Sequence, residues 1–252
     1  MVASCPEHPL TLPITMRQVD TKPTVGLIVL TTDMTCEDDF STLAVQHRCG
    51  FHQYVNRISF CNPMTEANLL GMLNNLGQVA ENIVPGHELD AIVFCCTSGS
   101  AIIGDQAIEE AIQNTKTCNV VLTTARASVA TLRRKGFAKI SLLTPYSAPV
   151  SRRLAEYFQA SDIQITALHY MDIADDRDVG RLSPEYILAA AQAAADHSAD
   201  CLFISCTAMR VVEIREKIEA RINQPVVSSN YATFLETMYQ LDLLHTVDES
   251  GD

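Results

Sequence analysis

The sequence lacks two features that would indicate nucleic-acid or membrane binding. The 252-residue chain has 18 Lys and Arg residues against 30 Asp and Glu, a formal net charge of −12, so it lacks the basic surplus of a nucleic-acid-binding surface. No apolar run approaches the roughly 18 residues of a membrane helix. The N-terminal residues show no basic segment followed by an apolar core. We therefore expect no nucleic-acid partner, no membrane association and a cytoplasmic protein.

The spacings typical of metal sites and disulfide frameworks are also missing. The 9 cysteines are odd in number and irregularly spaced, and no pair has the C-x2-C spacing of a zinc site. This pattern is typical of a reducing compartment. The histidines are dispersed, and the G-x-S-x-G motif of a serine hydrolase is absent. The sequence predicts no metal centre and no hydrolase triad, and most cysteines are expected to be plain buried residues.

The sequence does contain two similar series of apolar runs. An apolar content of 47% is sufficient to bury two cores of about 110 to 130 residues each. Short continuous apolar runs, typical of strands buried in a parallel sheet, alternate with helical patterns, four times before Gly136 and four times after it. We predict two pseudo-symmetric, flavodoxin-like α/β domains, each a four-stranded parallel sheet flanked by helices, with the active site in the cleft between them.

The predicted domains span residues 23–136 and 137–252, after an N-terminal arm at 1–22; whether the last helix packs back on the first domain is left open. Predicted strands lie at 25–30, 53–60, 91–95, 119–123, 140–144, 164–170, 201–205 and 226–228. Predicted helices begin after 35, 149 and 184, or span 63–81, 99–114, 128–135, 210–221 and 231–241. Thr35 is expected to cap the first helix.

One stretch, Asp90 to Ser100, recurs in the second half of the chain. The residues that recur at one constant offset are Asp90 and Asp200, Cys96 and Cys206, and Thr97 and Thr207. A period near 110 residues indicates two homologous domains rather than a solenoid. Ligands of open parallel sheets bind at the carboxyl ends of the strands. Cys96 and Cys206 are therefore predicted to approach one ligand from opposite sides.

Two opposed cysteines suit proton transfer or addition at a carbon atom. A thiolate can attack or deprotonate one face while a thiol on the other face supplies a proton. Each cysteine is expected just before a helix, whose dipole and amides lower the pKa of a thiol. Thr97, Ser98 and Thr207 are candidates to bind a substrate carboxylate. The alternative, inert packing, is the usual role of an isolated cysteine, but the repetition weighs against it.

Six segments carry a resemblance to a known family, in order along residues 24 to 240. They are Gly26-x-Ile-Val, Cys96-Thr-Ser-Gly-Ser100, Leu-Thr-Pro-Tyr146, Asp-Val-Gly-Arg-Leu-x-Pro184, Ser-Cys206-Thr-Ala-Met-Arg and Pro225-Val-Val-Ser-Ser-Asn230. Together they resemble the maleate isomerase and arylmalonate decarboxylase branch of the aspartate/glutamate racemase superfamily. The resemblance implies a two-domain α/β fold, no cofactor, no metal, and a small carboxylate-bearing substrate between the domains. A homo-oligomer is left open.

Within this branch, the decarboxylases keep glycine where Cys96 stands, whereas isomerases and racemases use two cysteines. The pair therefore implies a cofactor-independent isomerase or racemase similar to maleate cis-trans isomerase, in which Cys96 adds to an alkene carbon and Cys206 handles the proton. By the same resemblance, Tyr146 would hydrogen-bond a carboxylate. The alternatives are a racemase-like enzyme on an amino-acid or ectoine-type derivative, an arylmalonate decarboxylase-like enzyme, and a non-catalytic ligand-binding protein.

Two residues depart from the pattern of maleate isomerases. Asp33 and Asp176 stand where those enzymes carry asparagine. An ionised aspartate accepts hydrogen bonds, donates none, and repels a dianion such as maleate. Our hypothesis is that the two aspartates select a substrate with an amine, amidine or other donor beside its carboxylate. The alternative is that Asp33 merely caps the following helix while Asp176 lies in a solvated acidic loop.

Overall fold

Two four-stranded parallel sheets form the protein. The computed structural model describes residues 12–13, 15 and 21–244, so the predicted arm at 1–22 lies almost wholly outside the described residues. The strands are β1 (Thr24–Leu30), β2 (His52–Ile58), β3 (Leu89–Cys95), β4 (Cys118–Thr123), β5 (Lys139–Thr144), β6 (Gln164–Tyr170), β7 (Cys201–Ile204) and β8 (Val226–Ser228). The sheets have the orders β2-β1-β3-β4 and β6-β5-β7-β8. The predicted pair of parallel sheets is confirmed.

Helices flank both sheets. They are α1 (Cys36–Gln46), α2 (Glu66–Gly71), α3 (Leu73–Glu81), α4 (Thr97–Ile103), α5 (Asp105–Gln113), α6 (Thr124–Arg134), α7 (Ala148–Ala160), α8 (Asp176–Val179), α9 (Pro184–Ala194), α10 (Arg215–Ile222) and α11 (Ser229–Gln240). The central strands are buried because they pair on both edges and are covered on both faces; Leu27 and Phe203 are fully buried. No helix in the described part of the chain has the length and apolar content needed to cross a membrane.

Three predicted helices differ from the structure: two are interrupted, and one begins later than predicted. The helix predicted at 63–81 is split between α2 and α3 at Met72, whose N–H bonds to the Leu69 carbonyl three residues back in a tighter turn. The helix predicted at 99–114 breaks at Gly104, which has φ +91°. The helix predicted from Arg210 begins instead as a 3-10 turn at Val212. The short helix α8 was not predicted.

The prediction that Thr35 caps α1 is wrong. The Thr35 hydroxyl donates to the carbonyl of Ala208, 2.8 Å away, and so is directed away from the helix amides. The carboxylate of Asp33 accepts from the N–H groups of Thr35 and Cys36 in its place. The first helix is therefore capped from two residues further upstream.

The last helix, α11, packs on helices of the first half of the chain. The Thr131 hydroxyl in α6 donates to the Ala232 carbonyl in α11 at 2.9 Å. The rings of Phe40 in α1 and Phe234 in α11 meet edge to face with centroids 5.7 Å apart. The two halves are thus interlocked through the C-terminal helix. The domain boundary between residues 136 and 137 stays a prediction from the sequence.

The repeated aspartates have a structural role in both sheets. The Asp90 carboxylate accepts from the backbone N–H and the hydroxyl of Thr24, each at 2.8 Å, which ties the start of β3 to the start of β1. Asp200 accepts from the N–H groups of Ala138 and Lys139 at 2.8 Å, which ties β7 to β5 in the same way. The repeat therefore fixes the register of the two central strand pairs.

Removing this tie is expected to destabilise the fold. Asp90→Ala leaves the Thr24 N–H without its acceptor at a half-buried position, so we expect the free energy of unfolding to fall by about 1–3 kcal/mol. Urea denaturation followed by circular dichroism measures this. As a control, Glu88→Ala removes an exposed carboxylate nearby and should change the stability by no more than about 0.5 kcal/mol. Equal stabilities of the two variants would contradict the assigned role.

Candidate active site

Cys96 stands where β3 turns into α4. It is the N-cap residue of that helix, and its Sγ accepts from the Gly99 N–H at 3.3 Å. The Ser98 hydroxyl lies 3.8 Å from the same sulfur. A Cβ atom on residue 99 would lie 3.0 Å from this Sγ and 2.8 Å from Met72 Cε, so glycine is what gives the thiol its place at the helix end. The predicted position of Cys96 just before a helix is confirmed.

Cys206 follows β7 in an unusual backbone conformation. Its φ of +102° is rare for a residue with a side chain and requires support from its surroundings. That support includes Ser229, whose hydroxyl oxygen accepts from the Cys206 N–H at 3.1 Å. The chain beyond Cys206 forms a turn rather than a helix. The expectation that both cysteines precede helices is therefore wrong for Cys206.

The two cysteines line one cleft. It lies at the carboxyl ends of β3 and β7, an inner strand of each sheet. The structure brings together all the residues that the sequence suggested for catalysis or binding: Asp33, Cys96, Thr97, Ser98, Tyr146, Asp176, Cys206 and Thr207. The remaining lining is apolar: Leu30, Phe60, Met64, Leu69 and Ala208. Chain segments more than 100 residues apart therefore form a single site.

Burial, rather than the helix dipole, dominates the titration of the thiols. It raises the pKa of Cys96 to about 12, although the Gly99 amide and the Ser98 hydroxyl oppose the shift, and the carboxylates of Asp176 and Asp33 raise it further. Burial also raises the pKa of Cys206 well above its ordinary range. The expectation that both pKa values are lowered is thus wrong. Both thiols are therefore neutral at neutral pH.

Tyr146 places a third neutral donor at the cleft. Its side chain is buried, and its hydroxyl lies 3.1 Å from the Ser205 Oγ. Burial raises the pKa of Tyr146 well above its usual value, and the proximity of Cys206 and Cys96 adds to this effect. The phenol therefore stays protonated and is able to donate a hydrogen bond.

Asp33 uses its two carboxylate oxygens differently. Oδ1 accepts from the N–H groups of Thr35 and Cys36 at 2.8 and 3.0 Å and caps α1. Oδ2 is buried and has no hydrogen-bond partner among the described residues. The Thr207 hydroxyl is near enough to lower the pKa of Asp33, but burial has the larger effect and raises it. Capping and exposure to the cleft are thus both features of Asp33.

Asp176 is buried, with 2% of its surface exposed, so its placement in a solvated acidic loop is wrong. Its carboxylate accepts from the Thr32 hydroxyl and from Asn62 Nδ2, the latter at 2.9 Å. Both donors belong to the first half of the chain, whereas Asp176 begins α8 in the second half. Each oxygen of Asp176 therefore already has a partner in the protein.

The hydroxyl groups of Thr97 and Thr207 both donate hydrogen bonds to acceptors within the protein. Thr97 donates to Ser229 Oγ at 2.8 Å, and Thr207 donates to the Cys95 carbonyl at 3.3 Å. Both bonds cross between the two halves of the chain. These two hydrogen bonds hold the cysteine loops together. The threonine hydroxyls can therefore offer a ligand only their oxygen lone pairs. Their predicted contact with substrate stays a prediction.

Sequence reasoning missed Ser229 and the buried amides. Ser229 lies at the start of α11, in the matched segment after β8, but no local pattern indicated that it joins both cysteine loops. The next residue, Asn230, donates to Asp39 Oδ2 at 2.7 Å and to the Thr207 carbonyl at 2.8 Å. The cap of α11 is Ser228, which accepts from the Tyr231 N–H.

The cleft carries negative charge only. Its lining within residues 21–244 includes two aspartates and no Lys, Arg or His. Across the same described residues, no group of three or more His, Cys, Asp or Glu side chains is arranged to hold a metal ion. What this arrangement offers chemically is a pair of thiols, neutral hydroxyl donors and one unpaired carboxylate oxygen.

The fold and the site define a class: an α/β protein of two parallel sheets with a cysteine from each half in a shared cleft. The family model described as arylmalonate decarboxylase matches residues 62–252. The chain belongs to the arylmalonate decarboxylase family, within the branch that also contains maleate isomerases.

Maleate isomerases match over most of the chain, and solved arylmalonate decarboxylases match its fold with TM-scores of 0.59 to 0.69. The maleate isomerase of Alcaligenes faecalis is 24% identical over 242 residues, 90% of this chain and 94% of that protein. A cysteine-to-alanine variant of the maleate isomerase Iso of Pseudomonas putida S16, solved with maleate, superposes with a TM-score of 0.79 at 19% identity, covering 88% of this chain and 93% of that one. A Nocardia farcinica maleate cis-trans isomerase mutant with a covalently bound succinylcysteine intermediate gives 0.79 at 22%, covering 88% and 93%.

The close packing around the Cys96 thiol can be tested by a substitution at Gly99. In Gly99→Ala the new methyl group would overlap Met72 Cε and press on Cys96 Sγ, so we expect a loss of about 1–3 kcal/mol in unfolding free energy. Thermal unfolding measures the loss. Gly71→Ala is the matched control, because a Cβ there meets no atom within 4 Å; it should be neutral or stabilising by up to about 1 kcal/mol. A Gly99→Ala variant as stable as the wild type would contradict this close packing.

Proposed function

We propose that the protein is a cofactor-independent cis-trans isomerase of a small unsaturated carboxylic acid. The observation that carries the proposal is the convergence of Cys96 and Cys206, from equivalent strand ends of two sheets, on one buried cleft. The names of the relatives support it, and so does the succinylcysteine held by the Nocardia farcinica enzyme. Such a thioether is what addition of a thiol across the double bond of butenedioate produces.

The reaction would proceed by reversible addition. Cys96 first loses its thiol proton to solvent; its thiolate sulfur then forms a bond to one alkene carbon, and the electron pair of the double bond moves toward the substrate carboxylate. The thiol of Cys206 gives its proton to the neighbouring carbon, which leaves a single carbon–carbon bond free to rotate. After rotation Cys206 takes the proton back, the carbon–sulfur bond breaks and the double bond re-forms. Atoms and electrons balance without an oxidant, a reductant or another reactant.

The groups around the thiols suit the charge changes of this reaction. The Gly99 N–H and the Ser98 hydroxyl approach Cys96 Sγ and would stabilise its thiolate. The protonated phenol of Tyr146 would stabilise the carboxylate on which negative charge builds up during addition. Because the cleft is buried, these donors act without competition from water.

Replacing either cysteine separates this function from a binding role. Cys96→Ala and Cys206→Ala should each lower kcat on cis-butenedioate or its half-amide by about a thousandfold, because nucleophile and proton donor are both required. Proton NMR of the trans product measures turnover. Cys201→Ala, at the opposite end of the same strand as Cys206, is the control and should keep most of the activity. Intact mass spectrometry should show a substrate adduct on Cys206→Ala and none on Cys96→Ala.

Two results would reject the proposal. Retention of more than a tenth of the activity by either variant would show that the cysteine pair is not the reacting group. Racemisation of an amino acid by the wild type, without isomerisation of any alkenoic acid, would identify the racemase alternative.

The pH dependence should rise toward alkaline pH. Because burial raises the pKa of Cys96 to about 12, the thiolate fraction grows about tenfold per pH unit below that value. The raised pKa of Cys206 keeps the proton donor intact over the same range. We expect kcat/KM to rise between pH 7 and pH 9, measured at temperatures where circular dichroism shows a folded protein. A profile that falls over this range would contradict thiols that are neutral at rest.

The remaining expectations stay predictions. They are the absence of a cofactor and a metal, the cytoplasmic location, the open question of a homo-oligomer, and the binding roles of individual cleft residues.

A further inference from the structure

The charges in the cleft restrict which acid it can accept. Its two ionisable acids, Asp33 and Asp176, each have 2% of their surface exposed, and no cationic side chain lines it in the described part of the chain. A ligand with two carboxylates would bring two more negative charges into a buried space that offers only hydroxyl, thiol and amide donors. In such surroundings like charges repel more strongly than in water.

The two aspartates are not equivalent. Both oxygens of Asp176 have donors, the Thr32 hydroxyl and Asn62 Nδ2, so this carboxylate is satisfied without a ligand. Asp33 Oδ1 is likewise satisfied by two backbone N–H groups. Asp33 Oδ2 is buried, and no described residue donates to it. The neighbouring Thr207 hydroxyl has one proton, and it is directed to the Cys95 carbonyl.

A buried carboxylate oxygen without a donor is costly for the protein unless a ligand supplies one. We propose that the substrate carries one carboxylate and, at its other end, an N–H donor, an amide or an ammonium group, that binds Asp33 Oδ2. The carboxylate end then lies toward the neutral donors Tyr146 and Ser98. This inference rests on the proposed function for the reaction catalysed, but recognition of the ligand is testable by itself.

Three saturated four-carbon acids separate the contributions. Succinamate, γ-aminobutyrate and succinate share a carboxylate and differ at the far end, which is an amide, an ammonium group or a second carboxylate. Isothermal titration calorimetry on the wild type should show at least one of the two nitrogen-bearing acids binding about tenfold or more tightly than succinate, because an acid that lacks the donor leaves Asp33 unpaired. Binding of succinate as tightly as both others would overturn the proposal.

The matched variant is Asp33→Asn. Its amide oxygen can still accept from the N–H groups of Thr35 and Cys36, so the cap of α1 is kept, while its NH₂ group now donates where Oδ2 accepted. We expect the preference over succinate to disappear or reverse. Asp178→Asn, which removes one charge from an exposed position within α8, should keep the wild-type preference. An unchanged preference in Asp33→Asn would overturn the proposal.

Turnover distinguishes the failure of this inference from the failure of the isomerase proposal. Selective binding of the nitrogen-bearing acids, with no isomerisation of cis-butenedioate half-amide, rejects the isomerase and keeps the inference. Isomerisation of cis-butenedioate and its half-amide with equal kcat/KM rejects the inference and keeps the isomerase. A wild-type preference for succinate that weakens as pH rises would mean that Asp33 is protonated and donates its own proton, which also overturns the inference.

Discussion

The hydroxyl of Ser229 is the group on which the geometry of the site depends. Its oxygen accepts from the Thr97 hydroxyl at 2.8 Å and from the Cys206 N–H at 3.1 Å, so one buried atom contacts both cysteine loops. Thr97 is the neighbour of Cys96, and a displacement of Ser229 would therefore move the two thiols relative to each other. Because these bonds lie in a low-dielectric interior, they are strong when made and costly when lost.

Other bonds across the two halves surround this point. Thr207 donates to the Cys95 carbonyl and Thr35 to the Ala208 carbonyl, so each cysteine loop is held by residues of the opposite half. The packing of α11 on α1 and α6 carries Ser229 into place from the end of the chain. A site between two sheets is usually free to open and close. Here the cross-bonds fix the spacing on which two-sided chemistry depends.

The same burial that strengthens these bonds sets the protonation states. It raises the pKa values of Cys96, Cys206 and Tyr146 together, because in each case the charged form loses its hydration. The cleft is therefore rich in neutral donors, namely the two thiols and the phenol.

Internal repetition explains how much of this was predictable. Cys96, Cys206 and the repeated aspartates could be found because duplication kept them at one offset while periodicity placed them at strand ends. Ser229 and Asn62 could not, since their bonds to Thr97 and to Asp176 join residues more than 100 positions apart and no local pattern marks them. The raised pKa values of the thiols could not be predicted either. A sequence indicates where a helix begins, but it does not show how deeply that helix end is buried.

One position at which the two halves of the chain differ indicates how the two thiols differ. At the same offset Gly99 is replaced by Met209, whose N–H is directed to the Cys206 carbonyl at 3.4 Å, whereas the Gly99 N–H reaches the Cys96 sulfur. Cys96 thus has a helix end and a neighbouring hydroxyl to stabilise negative charge on sulfur. Cys206 precedes a turn, where the Ala208 amide opposes the effect of burial on its thiol but no helix begins. The asymmetry suits Cys96 to attack carbon and Cys206 to deliver the proton, which is the division of roles that an addition mechanism requires.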